Sequence, residues 1–210
     1  MSHGFTPFVD LLKKFPSWNF EGKTLFDAGA GYGELGFYIK ALTDPTQNDL
    51  IQVKFRGTPT LIGCDINADR VAKVGQGIYD QYFLWNLSDT PYPFLDKSPD
   101  FTVCLETLEH IPEGKEESLR ILSYLEKLSP NVVVSVPNGN HLYSKYEKTY
   151  LNHYSAWTPE DFLRRGYDVH LMHLTGLSGR TRRLYELCRR IKGSSPAGHI
   201  LAIKSRRCRV

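Results

Sequence analysis

LFDAGAGYGELG, from Leu25 to Gly36, decides the reading of this 210-residue chain. A short apolar run closes on an acid, Asp27, and glycines then alternate at Gly29, Gly31 and Gly33 ahead of an amphipathic segment. That order is how a buried parallel strand passes into a helix through a loop whose backbone a ligand can approach. Glycine supplies the left-handed conformations such a loop needs and carries no Cβ to block the ligand.

The same stretch admits two other readings. Gly31, Gly33 and Gly36 also fit the dinucleotide fingerprint Gly-x-Gly-x-x-Gly. In that fingerprint the first glycine closes the strand and a ribose-reading acid follows about 20 residues later. Here Gly29 would be the closing glycine, and the next acid at a strand end is Asp65, too distant for that spacing. A glycine-rich turn without a ligand is the other reading.

Outward from this stretch, apolar runs alternate with amphipathic segments. Strands are expected at Lys23–Ala28, Thr60–Asp65, Tyr82–Trp85, Asp100–Leu105, Asn131–Val136, Tyr167–Leu174 and Gly198–Lys204. Helices are expected at Phe5–Phe15, ended by Pro16, at Glu34–Leu42, from an Asn67 N-cap to Val74, and at Lys115–Leu128. Thr158-Pro159-Glu160-Asp161 opens another helix, with Pro at its first position and acids in its first turn. The strands are near-continuously apolar, so both faces of the sheet are covered. The expected fold is one α/β domain over 1–210: Rossmann-like and doubly wound, a mostly parallel seven-stranded sheet with helices on both faces. An N-terminal helix lies within 1–20, an inserted connection spans 43–59 with a candidate extra strand at LIQVKF, and a basic part, 164–210, completes the sheet.

Composition narrows the class. With 41% hydrophobic residues the chain can bury one sizeable core. The net charge of +3 is unevenly spread: from Arg164 onward twelve Lys/Arg face only Asp168 and Glu186, a local +10 that leaves −7 for the rest. Such a basic region, with Arg180, Arg182, Arg183, Arg189, Arg190 and Lys192, can meet RNA phosphates or be a solvated face. Cys64, Cys104, Cys188 and Cys208 show no zinc spacing, and the first two fall in strands as small buried hydrophobes. No signal peptide and no membrane-length apolar run is visible, so a cytoplasmic protein without a membrane partner is expected. Oligomeric state is left open.

Ligands in open α/β sheets bind beyond the carboxyl ends of the strands. Five successive predicted strands end there in polar groups: Asp27 with the glycine loop, Asp65, Asn86, Glu106, and Pro137-Asn138-Gly139. They define one crevice.

Over Lys23 to Tyr167 the chain resembles the class I S-adenosylmethionine-dependent methyltransferases, in a subgroup like methyltransferase types 11 and 12. The glycine stretch matches the family's first motif. CLETLEHIP (Cys104–Pro112), VVVSVPNG (Val132–Gly139) and HYSAWTPEDF (His153–Phe162) resemble later segments, in the right order. The resemblance implies S-adenosyl-L-methionine as cofactor, bound by Asp27, Gly29, Ala30, Gly31, Gly33, Asp65, Ile66, Asn86, Leu87, Leu105 and Glu106. Asp65 would accept both ribose hydroxyls, as an acceptor-only carboxylate does well. Asp27 would orient the glycine loop and the methionine amino group. Asn86 departs from the family's usual Asp at the adenine amino group, and Leu87 would pack under the adenine.

Methyl transfer to a hydroxyl needs alignment and a weakened hold on a proton. His110 is the expected base, with Glu109 beside it; Glu106, Glu109 and His110 would share one face if the segment turns helical. Glu-x-x-Glu-His with the later His-x-x-x-Trp-Thr also resembles the divalent-metal site of small-RNA 3′-terminal 2′-O-methyltransferases. That resemblance implies Mg²⁺ or Mn²⁺ on Glu106, Glu109, His110 and His153. The alternative is that these residues merely line a substrate cleft. His3, His141, His170, His173 and His199 offer no ligand spacing. The expected function is O-methylation of a small-molecule acceptor. The alternatives are metal-dependent methylation of RNA, reached through the basic C-terminal part, and a non-catalytic cofactor-binding module.

Overall fold

The computed structural model describes residues 19–43, 57–74, 77–92, 97–139, 142, 151–172 and 198–205. The predicted helix at 5–15, the LIQVKF segment, the tyrosines Tyr143, Tyr146 and Tyr150, and the basic cluster from Arg180 to Lys192 lie outside them.

Seven strands form one sheet: β1 (Thr24–Ala28), β2 (Thr60–Asp65), β3 (Gln81–Leu84), β4 (Phe101–Leu105), β5 (Asn131–Pro137), β6 (Asp168–Met172) and β7 (His199–Ser205). Their order is β3-β2-β1-β4-β5-β7-β6. The first five run parallel, and β7 inserts antiparallel between β5 and β6. The mostly parallel Rossmann-like sheet read from the sequence is therefore the fold, with boundaries shifted by two residues or fewer.

The apolar strands are buried on both sides because successive side chains feed two separate cores. Phe26, Ala28, Cys64, Cys104 and Val134 pack on one face with Ile121, Leu122 and Leu125. Leu25, Leu61, Val103 and Val133 pack on the other with Leu35 and Ile39. The first set of helical residues lies on α3 (Lys115–Leu128) and the second on α1 (Glu34–Thr43). On α3 the spacing Ser118, Ile121, Leu122, Leu125 turns one stripe inward.

Caps sit where the side-chain chemistry places them. The Asn67 amide oxygen accepts the Asp69 and Arg70 backbone N–H groups at 2.9 and 3.2 Å, starting α2 (Ala68–Val74). Asp161 reaches back to the Thr158 N–H at 2.7 Å, opening α4 (Pro159–Leu163). No helix among the described residues is long and apolar enough to cross a membrane.

Candidate active site

The turn after β1 folds onto the end of β2. The Gly29 and Ala30 amides both donate to the Cys64 carbonyl, at 3.0 and 2.8 Å, and Gly29, Gly31 and Gly33 all take positive φ. Gly29 is further constrained, because a Cβ there would collide with the Thr107 side chain from the segment after β4. At Gly31 an added Cβ would meet nothing within 4 Å among the described residues, so this part of the backbone faces open space beside them. Beside it, Ile66 leaves 54% of its surface exposed.

Asp65 lies at the end of β2, 5% exposed. Its Oδ2 accepts the Gly31 N–H at 2.9 Å and its Oδ1 the Asn67 N–H at 2.8 Å, while the Arg70 guanidinium stands 3.5 Å from Oδ2. Arg70 also lies over the Tyr32 ring, 5.0 Å from its centroid. The carboxylate is thus fixed against the glycine loop. With about four lone-pair sites it keeps acceptor capacity for a ligand.

Asp27 takes a different position from the crevice residues. It is 3% exposed beneath the loop, and the Tyr79 hydroxyl donates to its Oδ2 at 2.5 Å. Burial pushes its carboxyl up to about 7, helped by the nearby Asp65 charge and opposed by the Tyr79 bond. In this position it supports the loop from within the core. Asn86 spends its amide oxygen on the Ser88 N–H at 3.0 Å, closing a tight turn. Leu87 is buried at 5% exposure against the Phe26 face of the sheet, and Leu105 is half-buried.

The segment after β4 departs from the helical reading that would put Glu106, Glu109 and His110 on one face. Glu106 has a left-handed φ of 48°, and only Leu108–His110 form a short 3₁₀ turn. Glu106 consequently points elsewhere: its Oε1 accepts the Ser135 hydroxyl at 2.7 Å and its Oε2 lies 2.8 Å from His199 Nδ1. Ser135 is on β5 and His199 on β7, brought to the site by the antiparallel pairing of Pro137 with His199.

Glu109, His110 and His153 do come together, with one potential ligand atom from each within 4.8 Å of the others. Glu109 is 1% exposed, and among the described residues neither carboxylate oxygen has a hydrogen-bond partner. Burial, reinforced by the charge of Glu106, pushes its carboxyl well above the usual range. His110 Nδ1 sits 2.8 Å from the Asn152 carbonyl, which only accepts, so Nδ1 carries the proton and Nε2 keeps a lone pair. That Nε2 lies 3.7 Å from Glu109 Oε1. Burial lowers the His110 pKa, against the Asn152 bond and the Glu106 charge, and favours the neutral ring.

His153 owes its place to the segment around it. The Tyr154 N–H donates to the Glu109 carbonyl at 2.7 Å, the Ser155 hydroxyl to the Leu108 carbonyl at 3.2 Å, and the Trp157 indole to Ser155 Oγ at 2.9 Å. Trp157 is fully buried, and Lys115 Nζ stands 3.3 Å from its ring centroid while donating to the Ala156 carbonyl at 2.8 Å. The His-x-x-x-Trp spacing therefore reads as one exposed-side group and one anchor.

The donor set fits a divalent cation. An orphaned buried carboxylate beside an imidazole lone pair is unfavourable without a positive charge or a proton between them. One oxygen and two nitrogen donors suit a borderline first-row ion such as Mn²⁺ more than Mg²⁺. Glu106, bound to Ser135 and His199, is outside this trio. Sequence reasoning missed Ser135, His199, Thr107, Tyr79 and Tyr82, whose spacing carries no local signal.

No protein-family model and no curated protein matches the sequence. Solved structures match over 95–98% of the chain. A SAM-dependent methyltransferase from Archaeoglobus fulgidus is 18% identical with a TM-score of 0.58, covering 95% of this chain and 93% of that one. The plantazolicin methyltransferase BamL, in complex with a triazolic desmethylPZN analog and SAH, is 17% identical with a TM-score of 0.58, covering 98% of this chain and 85% of that one. The small RNA methyltransferase HEN1 is 18% identical with a TM-score of 0.55, covering 96% of this chain and 25% of that one. The fold is that of the class I S-adenosylmethionine-dependent methyltransferases.

Proposed function

We propose that this protein is an S-adenosylmethionine-dependent methyltransferase acting on a hydroxyl of a small-molecule acceptor, aided by a divalent cation on Glu109, His110 and His153. The observation that carries the reading is the trio itself, next to the cofactor crevice. Thr107, packed on Gly29, lies only two residues before Glu109.

The cofactor supplies a methyl group on a positively charged sulfur. Asp65 receives the ribose hydroxyls, and the open backbone at Gly31 admits the ligand between Gly29, Ala30 and Gly33. Ile66, exposed beside the loop, provides apolar surface for the adenine, with Asn86 at its edge, while the Leu87 side chain is packed in the core beneath. Leu105 and Glu106 border the methionine end. Asp27 acts through the loop it supports.

A bound cation supplies the Lewis acidity that loosens a hydroxyl proton. The geometry of His110 then changes its part. Its Nδ1 is committed to the Asn152 carbonyl, and its Nε2 would hold the cation, so it would serve as a ligand. Glu106, outside the trio and oriented by Ser135 and His199, is the carboxylate left to take the proton.

RNA is the second reading, favoured because the trio forms at three of the four positions on which the resemblance to small-RNA 2′-O-methyltransferases rests. Affinity for RNA that falls steeply between about 50 and 200 mM salt would support it, through counterion release.

The deciding experiment is calorimetric titration with S-adenosylhomocysteine, repeated with Mn²⁺ and with a chelator. Micromolar binding together with a separate Mn²⁺ heat is expected. Absence of S-adenosylhomocysteine binding in every condition would sink the enzyme reading in favour of a degenerate fold. Binding without any Mn²⁺ heat would remove the cation and restore His110 as the base.

A further inference from the structure

Two stacked tyrosines underlie the glycine loop, and neither was singled out by any sequence pattern. Tyr79 lies two residues before β3 and is 4% exposed, while Tyr82 lies on the strand. Their rings are 5.0 Å apart and inclined by 16°. The Tyr82 hydroxyl donates to the Gly31 carbonyl at 2.7 Å. The Tyr79 hydroxyl donates to Asp27 and accepts the Gly36 N–H at 3.3 Å. The pair therefore grips the loop at its entry, its middle and the first turn of α1.

The rings also account for glycines that the ligand does not require. A Cβ on Gly36 would stand 2.8 Å from Tyr79 Cζ, and one on Gly63 would stand 2.7 Å from Tyr82 Cδ2. Gly63 is the β2 residue that pairs with Tyr82 across the ladder. A Cβ on Gly33 would lie 3.2 Å from Tyr79 Cε2, besides colliding with Val74. Three glycines are thus needed by the packing under the loop, whereas Gly31 alone of the loop's three alternating glycines faces both a fixed partner and open space.

Gly31 is the point of leverage. Its N–H is tied to Asp65 and its carbonyl to Tyr82, at 2.9 and 2.7 Å. A chain of two hydrogen bonds thus runs from the Tyr82 hydroxyl through one residue to the carboxylate at the end of β2. We propose that Tyr82 is a positioning residue for the cofactor: its hydroxyl pre-sets Gly31 and Asp65 in the geometry that receives the ribose. The inference rests on the cofactor reading above. Pre-organisation lowers the ordering cost of binding, so losing it appears as affinity. Tyr79 does not isolate the effect, since removing its hydroxyl also strips the partner from a buried carboxyl.

The test is Tyr82→Phe, which keeps the stacked ring and deletes only the hydroxyl. S-adenosylhomocysteine is titrated calorimetrically into parent and variant, and thermal unfolding is followed without ligand. The Kd is expected to rise about five- to tenfold, the scale of one hydrogen bond, with Tm nearly unchanged. Amide hydrogen exchange in ligand-free protein is expected to quicken at residues 29–33 and to stay the same in β1, β4 and β5. Failure of the parent to bind would remove the cofactor reading itself. Parent-like affinity or loop exchange in Tyr82→Phe would overturn this inference alone, as would a variant that does not fold, because the hydroxyl would then serve stability.

Discussion

Asp27→Asn should flatten the pH dependence of stability, and the size of the effect can be worked from the structure. The unfolded carboxyl ionises near 3.8, whereas in the folded protein burial holds it protonated up to about 7. Below pH ~4 both states carry the proton, and its contribution to stability is fully present. As pH rises from there to 7 the unfolded state alone releases the proton, so stability falls by about 1.4 kcal/mol per pH unit. The loss levels off above pH ~7, at a total of about 4 kcal/mol. Asn has nearly the same shape, accepts the Tyr79 hydroxyl and does not titrate. Whatever fixed cost the amide carries is the same at every pH. Burial also opposes ionisation at Asp100, Glu126 and Asp161, but hydrogen bonds from Thr24 and Lys23, from Arg165 and from Lys115 outweigh it and hold those carboxyls low. Their opposite trend is common to both proteins and cancels in the difference. Thermal unfolding of both at pH 5, 6, 7 and 8 is the assay. The variant's Tm relative to the parent should rise by about 5–10 °C across that range, at about 2–4 °C per kcal/mol for a domain of this size. Parallel curves would refute the argument, because they would mean that Asp27 ionises in the folded state as it does in solution.

Other substitutions separate the parts of the site. Asp65→Ala should weaken S-adenosylhomocysteine at least a hundredfold by calorimetry while the circular dichroism spectrum stays that of the parent; unchanged affinity would show that the crevice is misplaced. Glu109→Gln should abolish the Mn²⁺ heat, whereas Glu106→Gln should leave it within about threefold, since Glu106 is held by Ser135 and His199; equal losses would restore the four-residue cation site. His110→Ala should keep cofactor affinity and lose turnover once an acceptor is found, and a loss of cofactor affinity would count against its placement beyond the crevice. Gly29→Ala should lower Tm by several degrees, because it places a Cβ at positive φ against Thr107; a parent-like Tm would mean that the segment after β4 yields.

The alternation of apolar runs with amphipathic segments was enough to specify the parallel sheet, since a strand covered on both faces must be apolar on both. The glycine loop, the Asn67 cap and the Thr158–Asp161 box were legible for the same reason: each depends on neighbours within a few residues. The placement of Asp65 at the end of β2, beside the loop, was legible as well. Long-range contacts carried no such signal. Asp27 and Asp65 look equivalent in sequence and both are buried, yet one is held under the loop by the Tyr79 hydroxyl and the other takes the backbone N–H groups of Gly31 and Asn67. Glu106 and Glu109 look like a pair on one helical face, but a left-handed turn at Glu106 sends one to Ser135 and His199 and leaves the other to meet His153. His199, without any telling neighbour in the chain, reaches the site because β7 runs back antiparallel beside β5. Local backbone preferences and burial patterns are written residue by residue, and the sequence alone determined what they govern. Which carboxylate is buried, which is paired and which is left beside two imidazoles depends on side chains up to 93 positions apart, from Glu106 to His199, and only the packed sheet decided it.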